Sequence, residues 1–246
     1  MNSSLSQHQN EIERNQRAWE NKPLLRQIYS DFYYRILKLV DRSVTGRILE
    51  IGSGVGNLRA HLPEAISSDL FPNPWLDLVC DGYELPLRDR TVSNLILFDV
   101  FHHLRAPRVF LKEARRVLTT DGRLILFEPY ISCASYAAYG LFHHEKVGWN
   151  LEINAAEVLP RPRDYYAAQG NATRIFFRSE NPSLLDGWSI FHAEPFAAFS
   201  YLLSGGFSKA TLYPAFLLPL LQRIEHSLSR WPKCFGARCL IGLRSK

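Results

Sequence analysis

Carboxylates at three strand-like ends and a pair of adjacent histidines are the groups in this chain best suited to chemistry. Glu50 stands just before a glycine-rich turn, Gly52-Ser53-Gly54-Val55-Gly56. Asp69 closes the run Ala65-Ile66-Ser67-Ser68-Asp69, and Asp81 closes Leu76-Asp77-Leu78-Val79-Cys80-Asp81, just before Gly82. In open α/β sheets such positions, at the carboxyl ends of the strands, hold groups that accept hydrogen bonds from ligand hydroxyls. A fourth run continues Phe98-Asp99-Val100-Phe101-His102-His103-Leu104. Histidine titrates near neutral pH, so either ring is a candidate general base at that edge. Glu128 ends a fifth run and joins them. His143-His144-Glu145, with Tyr130, forms a second group of proton carriers. Adjacent residues seldom ligate one metal without a distant further ligand, so no metal site is expected there.

The elements that position these groups follow from the apolar pattern. Arg47–Ile51 suits a buried parallel strand, and the three glycines after it remove the Cβ atoms that would hold backbone away from a ligand. Asn57 to Leu62 then reads as a short helix with its amides toward that ligand, ended by Pro63. Val92 to Val100 is apolar enough for a sheet centre, Arg108 to Leu118 is amphipathic, and Gly122 to Glu128 is a fifth strand. A nicotinamide-binding turn is the nearest rival reading. It wants G-x-G-x-x-G, and the third glycine would fall at Asn57.

Together, Glu50 to Gly56, Asp69, Asp81 with Leu85-Pro86, and Phe98 to Leu104 make the chain resemble class I S-adenosylmethionine-dependent methyltransferases, in the branch that acts on small metabolites and quinones. The resemblance covers residues 46 to 130. It implies a doubly wound, Rossmann-like α/β fold with a seven-stranded sheet, mostly parallel with an antiparallel last strand. It also implies S-adenosyl-L-methionine as cofactor and S-adenosyl-L-homocysteine as product. Expected at the cofactor are Glu50, Gly52, Ser53, Gly54, Gly56, Asp69, Leu70, Asp81, Gly82, Phe98 and Asp99, with Asp69 on the ribose and Asp81 near the adenine amino group. A helix from the N-terminal part, bearing Tyr29, Tyr33, Tyr34 and Arg35, is expected to close over the methionine end. The sequence lacks Asn/Asp-Pro-Pro-Tyr after strand four, the motif that family members methylating amino groups use. A small or lipid-linked acceptor is therefore expected, on oxygen first, with His103 ahead of His102 as base. A carbon acceptor such as a quinone ring is the alternative, and a protein that binds the cofactor without turnover is another.

Composition is compatible with this. Of 246 residues, 46% are hydrophobic and 22% charged, as in ordinary globular proteins. The net charge of +5 is spread along the chain with no basic block, so nucleic acid is not an expected partner. Cys80, Cys133, Cys234 and Cys239 lack zinc-like spacing and are expected to be reduced. No stretch approaches the roughly 18 apolar residues of a membrane span, and a cytoplasmic protein is expected.

Four segments result: a helical cover over 1–45, the cofactor core over 46–130, a substrate cap over 131–192, and the remainder of the core over 193–246. Residues 1 to 16 carry too little apolar content to pack, so a frayed or partly helical tail is expected. Within the last segment Pro195 to Leu203 reads as a helix, Ser208 to Tyr213 as a late strand and Arg238 to Leu243 as the last strand. Between them Leu217, Leu220, Leu221, Ile224, Leu228 and Trp231 share one helical stripe. Packing against the sheet is one use of such a stripe. Peripheral membrane contact through Leu217, Leu221, Ile224, Leu228 and Trp231 is the other.

Overall fold

The computed structural model describes residues 2–142, 147–158 and 166–246, with the side chains of 2–9 and 140–142 left aside. His143, His144, Glu145 and Tyr165 lie outside the described residues.

Among the described residues one sheet runs through the molecule in the order β3-β2-β1-β4-β5-β7-β6. Its strands are β1 (Arg47–Ile51), β2 (Ile66–Asp69), β3 (Leu78–Val79), β4 (Val92–Phe98), β5 (Leu118–Pro129), β6 (Trp188–Phe196) and β7 (Arg238–Ser245). The first five are parallel, and β7 lies antiparallel between β5 and β6. This is the expected architecture.

The two-residue period of the strands divides the core into two layers. Leu49, Ile51, Leu95, Leu97, Leu124 and Leu126 meet Phe110, Ala114 and Val117 of α3 (Pro107–Val117) on one face. Ile48, Ile96, Phe98, Ile125 and Phe127 meet Leu25, Ile28, Phe32 and Ile36 of α2 (Pro23–Leu37) on the other. Because β4 and β5 are covered on both faces they read as near-continuous apolar runs, and the groups at their carboxyl ends sit on a rigid platform.

Several expectations are corrected. Of the two forms expected for the N-terminal tail, frayed or partly helical, the helical one is found, as α1 (Asn2–Asn21) with Ile12 buried. Asn57 to Leu62 is reduced to a four-residue 3-10 turn, Asn57–Ala60, too short to present a helical dipole. The late strand lies at Trp188–Phe196, not at Ser208 to Tyr213, which is turn and bend. Pro195 belongs to that strand, where the edge position spares it a ladder hydrogen bond. Only Phe199–Leu203 of the expected helix forms, as α5. Between β5 and β6 the described chain contains α4 (Cys133–Phe142), a π turn at Thr173–Phe177 and a 3-10 turn at Pro182–Leu185. The last segment carries α6 (Leu218–Leu228) and α7 (Pro232–Phe235).

Candidate cofactor and acceptor site

A cavity of about 1150 Å³ opens at the carboxyl ends of β1, β2 and β4. Glu50, Gly52, Ser53, Gly54, Asp69, Leu70, Asp81, Gly82, Phe98, Asp99, His102 and His103 all line it. Of the expected site residues Gly56 does not. Its φ of +71° starts the 3-10 turn, and a Cβ there would press on the Trp75 carbonyl.

The glycine turn is shaped by two needs. At Gly52, φ +71°, a Cβ would come within 2.2 Å of Val100 Cγ2, so only glycine lets the turn pass the loop after β4. At Gly54, φ +53°, a Cβ would meet nothing within 4 Å. That open space is a cradle in which backbone can face a ligand directly. Asp69 fixes the turn to β2: one carboxylate oxygen accepts Gly54 N–H at 3.0 Å and the other accepts Leu70 N–H at 2.7 Å. The oxygen on Leu70 also accepts Phe71 N–H at 3.5 Å, and the oxygen on Gly54 retains a lone pair for a ligand hydroxyl. Asp81 accepts Tyr83 N–H at 2.9 Å.

Glu50 is 3% exposed, and its Oε2 has no hydrogen-bond partner. Burial pushes its carboxyl up to about 7, with the Ser53 hydroxyl pulling down and the Asp69 charge adding to the rise. A buried acceptor without a donor at a cavity wall suits a ligand that brings one, such as the ammonium of an amino acid.

The loop after β4 is held from two sides. Glu128, fully buried at the end of β5, accepts the N–H groups of Val100, Phe101 and His102, and the His102 ring at 2.7 Å. Its carboxylate is therefore a fastener, not a base facing an acceptor. Asp99 has φ +58° and takes a bidentate pair from Arg238 at 2.6 and 2.5 Å. Arg238 opens β7 opposite Pro129, is 2% exposed, and stacks among Phe32, Phe98, Phe127 and Tyr201. Asp99, His102 and Glu128 bring ligand-type atoms within 4.8 Å of one another, yet Arg238 and the backbone donors already engage the two carboxylates.

The two histidines differ. His102 is buried with Nδ1 on Glu128, which makes it part of the framework. His103 is half-buried, and its Nδ1 lies 3.0 Å from the Tyr166 carbonyl. A carbonyl accepts only, so Nδ1 carries the proton and Nε2 is the basic nitrogen.

The rest of the cavity wall differs from expectation. Tyr29 and Tyr33 of α2 line it, while Tyr34 is exposed and Arg35 pairs with Glu194 over the Phe196 ring. From the segment expected as a cap, Ala138, Tyr139, Tyr166 and Gln169 line it, whereas Tyr130 packs on Phe177. A second wall comes from Phe199 to Leu212, including Leu202, Leu203, Phe207 and Lys209, and α1 adds Ile12 and Arg14. Sequence reasoning passed over Arg238 and this second wall. A lone arginine inside Ala237-Arg238-Cys239-Leu240-Ile241 was the available signal, since a cation in a buried strand needs an acid nearby.

Residues 49–126 match the family model of a methyltransferase domain. No curated protein sequence matches the chain. Among solved structures, an S-adenosylmethionine-dependent methyltransferase from Thermotoga maritima is similar at 16% identity, over 96% of this chain and 99% of that one, with a TM-score of 0.57. One from Archaeoglobus fulgidus is similar at 14% identity, over 90% and 94%, with a TM-score of 0.53. The 4+2 cyclase SpnF is similar at 12% identity, over 87% and 80%, with a TM-score of 0.52. At these identities the likeness speaks for the fold, and the cyclase illustrates that the fold hosts more than one reaction. Taken with the matched segment and the glycine-lined cavity, residues 49–126 are similar to a methyltransferase domain, and the chain has the class I fold of the solved S-adenosylmethionine-dependent methyltransferases.

Proposed function

We propose that the chain methylates a hydroxyl oxygen of a small or lipid-linked acceptor, with His103 as the base. The observation that carries this reading is one continuous cavity lined both by the cofactor groups and by an apolar wall of Leu202, Leu203, Phe207 and Leu212, with His103 in the same lining. Bound S-adenosylmethionine supplies an electrophilic methyl on a sulfonium and leaves as S-adenosylhomocysteine. Asp69 is assigned to the ribose hydroxyls, Asp81 to the adenine amino group and Glu50 to the methionine ammonium. Asp99, held by Arg238, orients the loop beside the methionine end. Ala138, Tyr139, Tyr166 and Gln169 with the lining residues between Phe199 and Leu212 are assigned to the acceptor end. An acceptor hydroxyl within about 3 Å of His103 Nε2 gives up its proton to that nitrogen as the carbon–oxygen bond forms.

A general base contributes about 10²–10⁴-fold. His103→Ala should therefore lower turnover at least about tenfold while cofactor affinity changes little, read as S-adenosylhomocysteine formed with a panel of phenols and lipid alcohols. Normal turnover in the variant would remove His103 from the reaction. Methyl found on carbon would replace the oxygen reading by a carbon acceptor such as a quinone ring.

A further inference from the structure

We infer that the outer face of α6, with the 3-10 turn before it, docks the mouth of the cavity onto an anionic lipid surface. This deepens the lipid-linked reading above and rests on it for the acceptor, though not for the docking itself.

The inward face of α6 is settled by its contacts. Leu218 and Glu225 are buried, Glu225 accepts Ser200 N–H, Ser229 Oγ accepts Ala197 N–H, and Gln222 donates to Asp31 of α2. Leu217, Leu221 and Leu228 are partly covered on that side, so three of the five residues expected at a membrane do not form its outer ridge. The outer ridge is instead Phe216, Leu220, Ile224 and Trp231, exposed by 78%, 54%, 45% and 59%. Leu220 and Ile224 stand one turn apart on α6, Phe216 lies in the 3-10 turn before it, Trp231 lies just past its end, and Arg223 and Arg230 are exposed in the same stretch.

Two observations choose the occupant. The first is charge: Arg223, His226, Arg230 and Lys233 are exposed, while Glu225, the one acid between Ala210 and Cys234, is turned inward and bonded. An apolar ridge whose own segment exposes Arg223, His226, Arg230 and Lys233 fits an anionic headgroup layer, where apolar side chains enter the acyl boundary and cations stay with the headgroups. The second is continuity with the cavity. Leu203 and Leu212 line the cavity and are also exposed, and Leu212 N–H donates to the Leu203 carbonyl at 2.9 Å. Four residues beyond Leu212 the ridge begins at Phe216. A lipid acceptor held in the bilayer would thus enter the cavity through the docked rim without crossing water.

Flotation of the full chain with phosphatidylcholine vesicles, with and without about one third phosphatidylglycerol, tests this. Each basic residue at an anionic surface contributes about fivefold, so the chain should float with the anionic vesicles at least tenfold better than with the neutral ones. About 0.5 M salt should remove most of that preference. Leu220→Ser with Ile224→Ser should cut binding at least tenfold with the melting temperature unchanged, since both side chains are outward. Arg223→Gln with Arg230→Gln should erase the anionic preference and leave residual apolar binding. Failure to float, or a dimer in light scattering that the Leu220/Ile224 variant converts to monomer, would overturn the inference. Docking is read without turnover, so methylation of a soluble acceptor by a chain that does not float would leave the proposed function standing.

Discussion

Arg238→Leu should lower the free energy of unfolding by about 3–5 kcal/mol, the usual cost of removing one partner of a buried ion pair. Arg238 is 2% exposed and gives both ends of its fork to Asp99, whose side chain is 28% exposed and sits at φ +58°. Without the guanidinium, Asp99 keeps its charge among Phe98, Tyr29 and Tyr33 with no cation facing it. Its partial exposure places the loss toward the lower end of the range. Asp99→Asn combined with Arg238→Leu should recover a large part of it, because neither partner is then left charged, and asparagine tolerates the left-handed backbone. Urea titrations of the three variants measure this. A loss below about 1 kcal/mol in Arg238→Leu would mean that the pair does not hold the loop after β4.

Glu50→Gln should act in the opposite direction on the empty protein. Its carboxyl stands at about 7 against an ordinary 4.5 because it is buried. Below pH 4.5 it is protonated folded or unfolded and costs nothing. Between 4.5 and 7 the unfolded chain ionises first, so stability falls as pH rises; above 7 both states are ionised and the full cost remains. At 1.36 kcal/mol per pH unit that cost is about 3 kcal/mol. Glutamine removes the charge, so the variant should melt higher than the parent at pH 8, and the advantage should fade toward pH 4.5. Added S-adenosylmethionine should stabilise the parent more than the variant, since Glu50 Oε2 is the buried acceptor lacking a donor. Equal ligand stabilisation would detach Glu50 from the cofactor.

What could be read in the sequence is what short-range physics determines. The β1 strand, its glycine turn and the acids that close β1 and β2 were legible, because a parallel strand buried on both faces is apolar throughout and a turn at positive φ selects glycine. The β6 strand was not. It lies at the sheet edge with Ser189 and Ile190 exposed and carries Pro195, so it lacks the continuous apolar signature and invites a helical reading. The split between His102 and His103 was equally hidden, for it depends on Glu128, 26 residues downstream, reaching the His102 ring through β4–β5 pairing. Arg238 finds Asp99 across 139 residues. The stripe on α6 was legible as a stripe, but which side faces outward is decided by Glu225 meeting Ser200, not by the apolar arc.

Calorimetric titration of the parent and of Asp69→Ala decides whether the cavity at the β1, β2 and β4 ends holds S-adenosylmethionine for methyl transfer. Asp69 fastens the glycine turn through Gly54 N–H and is assigned to the ribose, and a hydrogen bond to a charged acceptor contributes about 1.5–3 kcal/mol. One cofactor should bind per chain, a nicotinamide dinucleotide should not bind comparably, and a folded Asp69→Ala should lose at least tenfold in S-adenosylmethionine affinity. Unchanged affinity in that variant, or tighter binding of the nicotinamide cofactor by the parent, would contradict it.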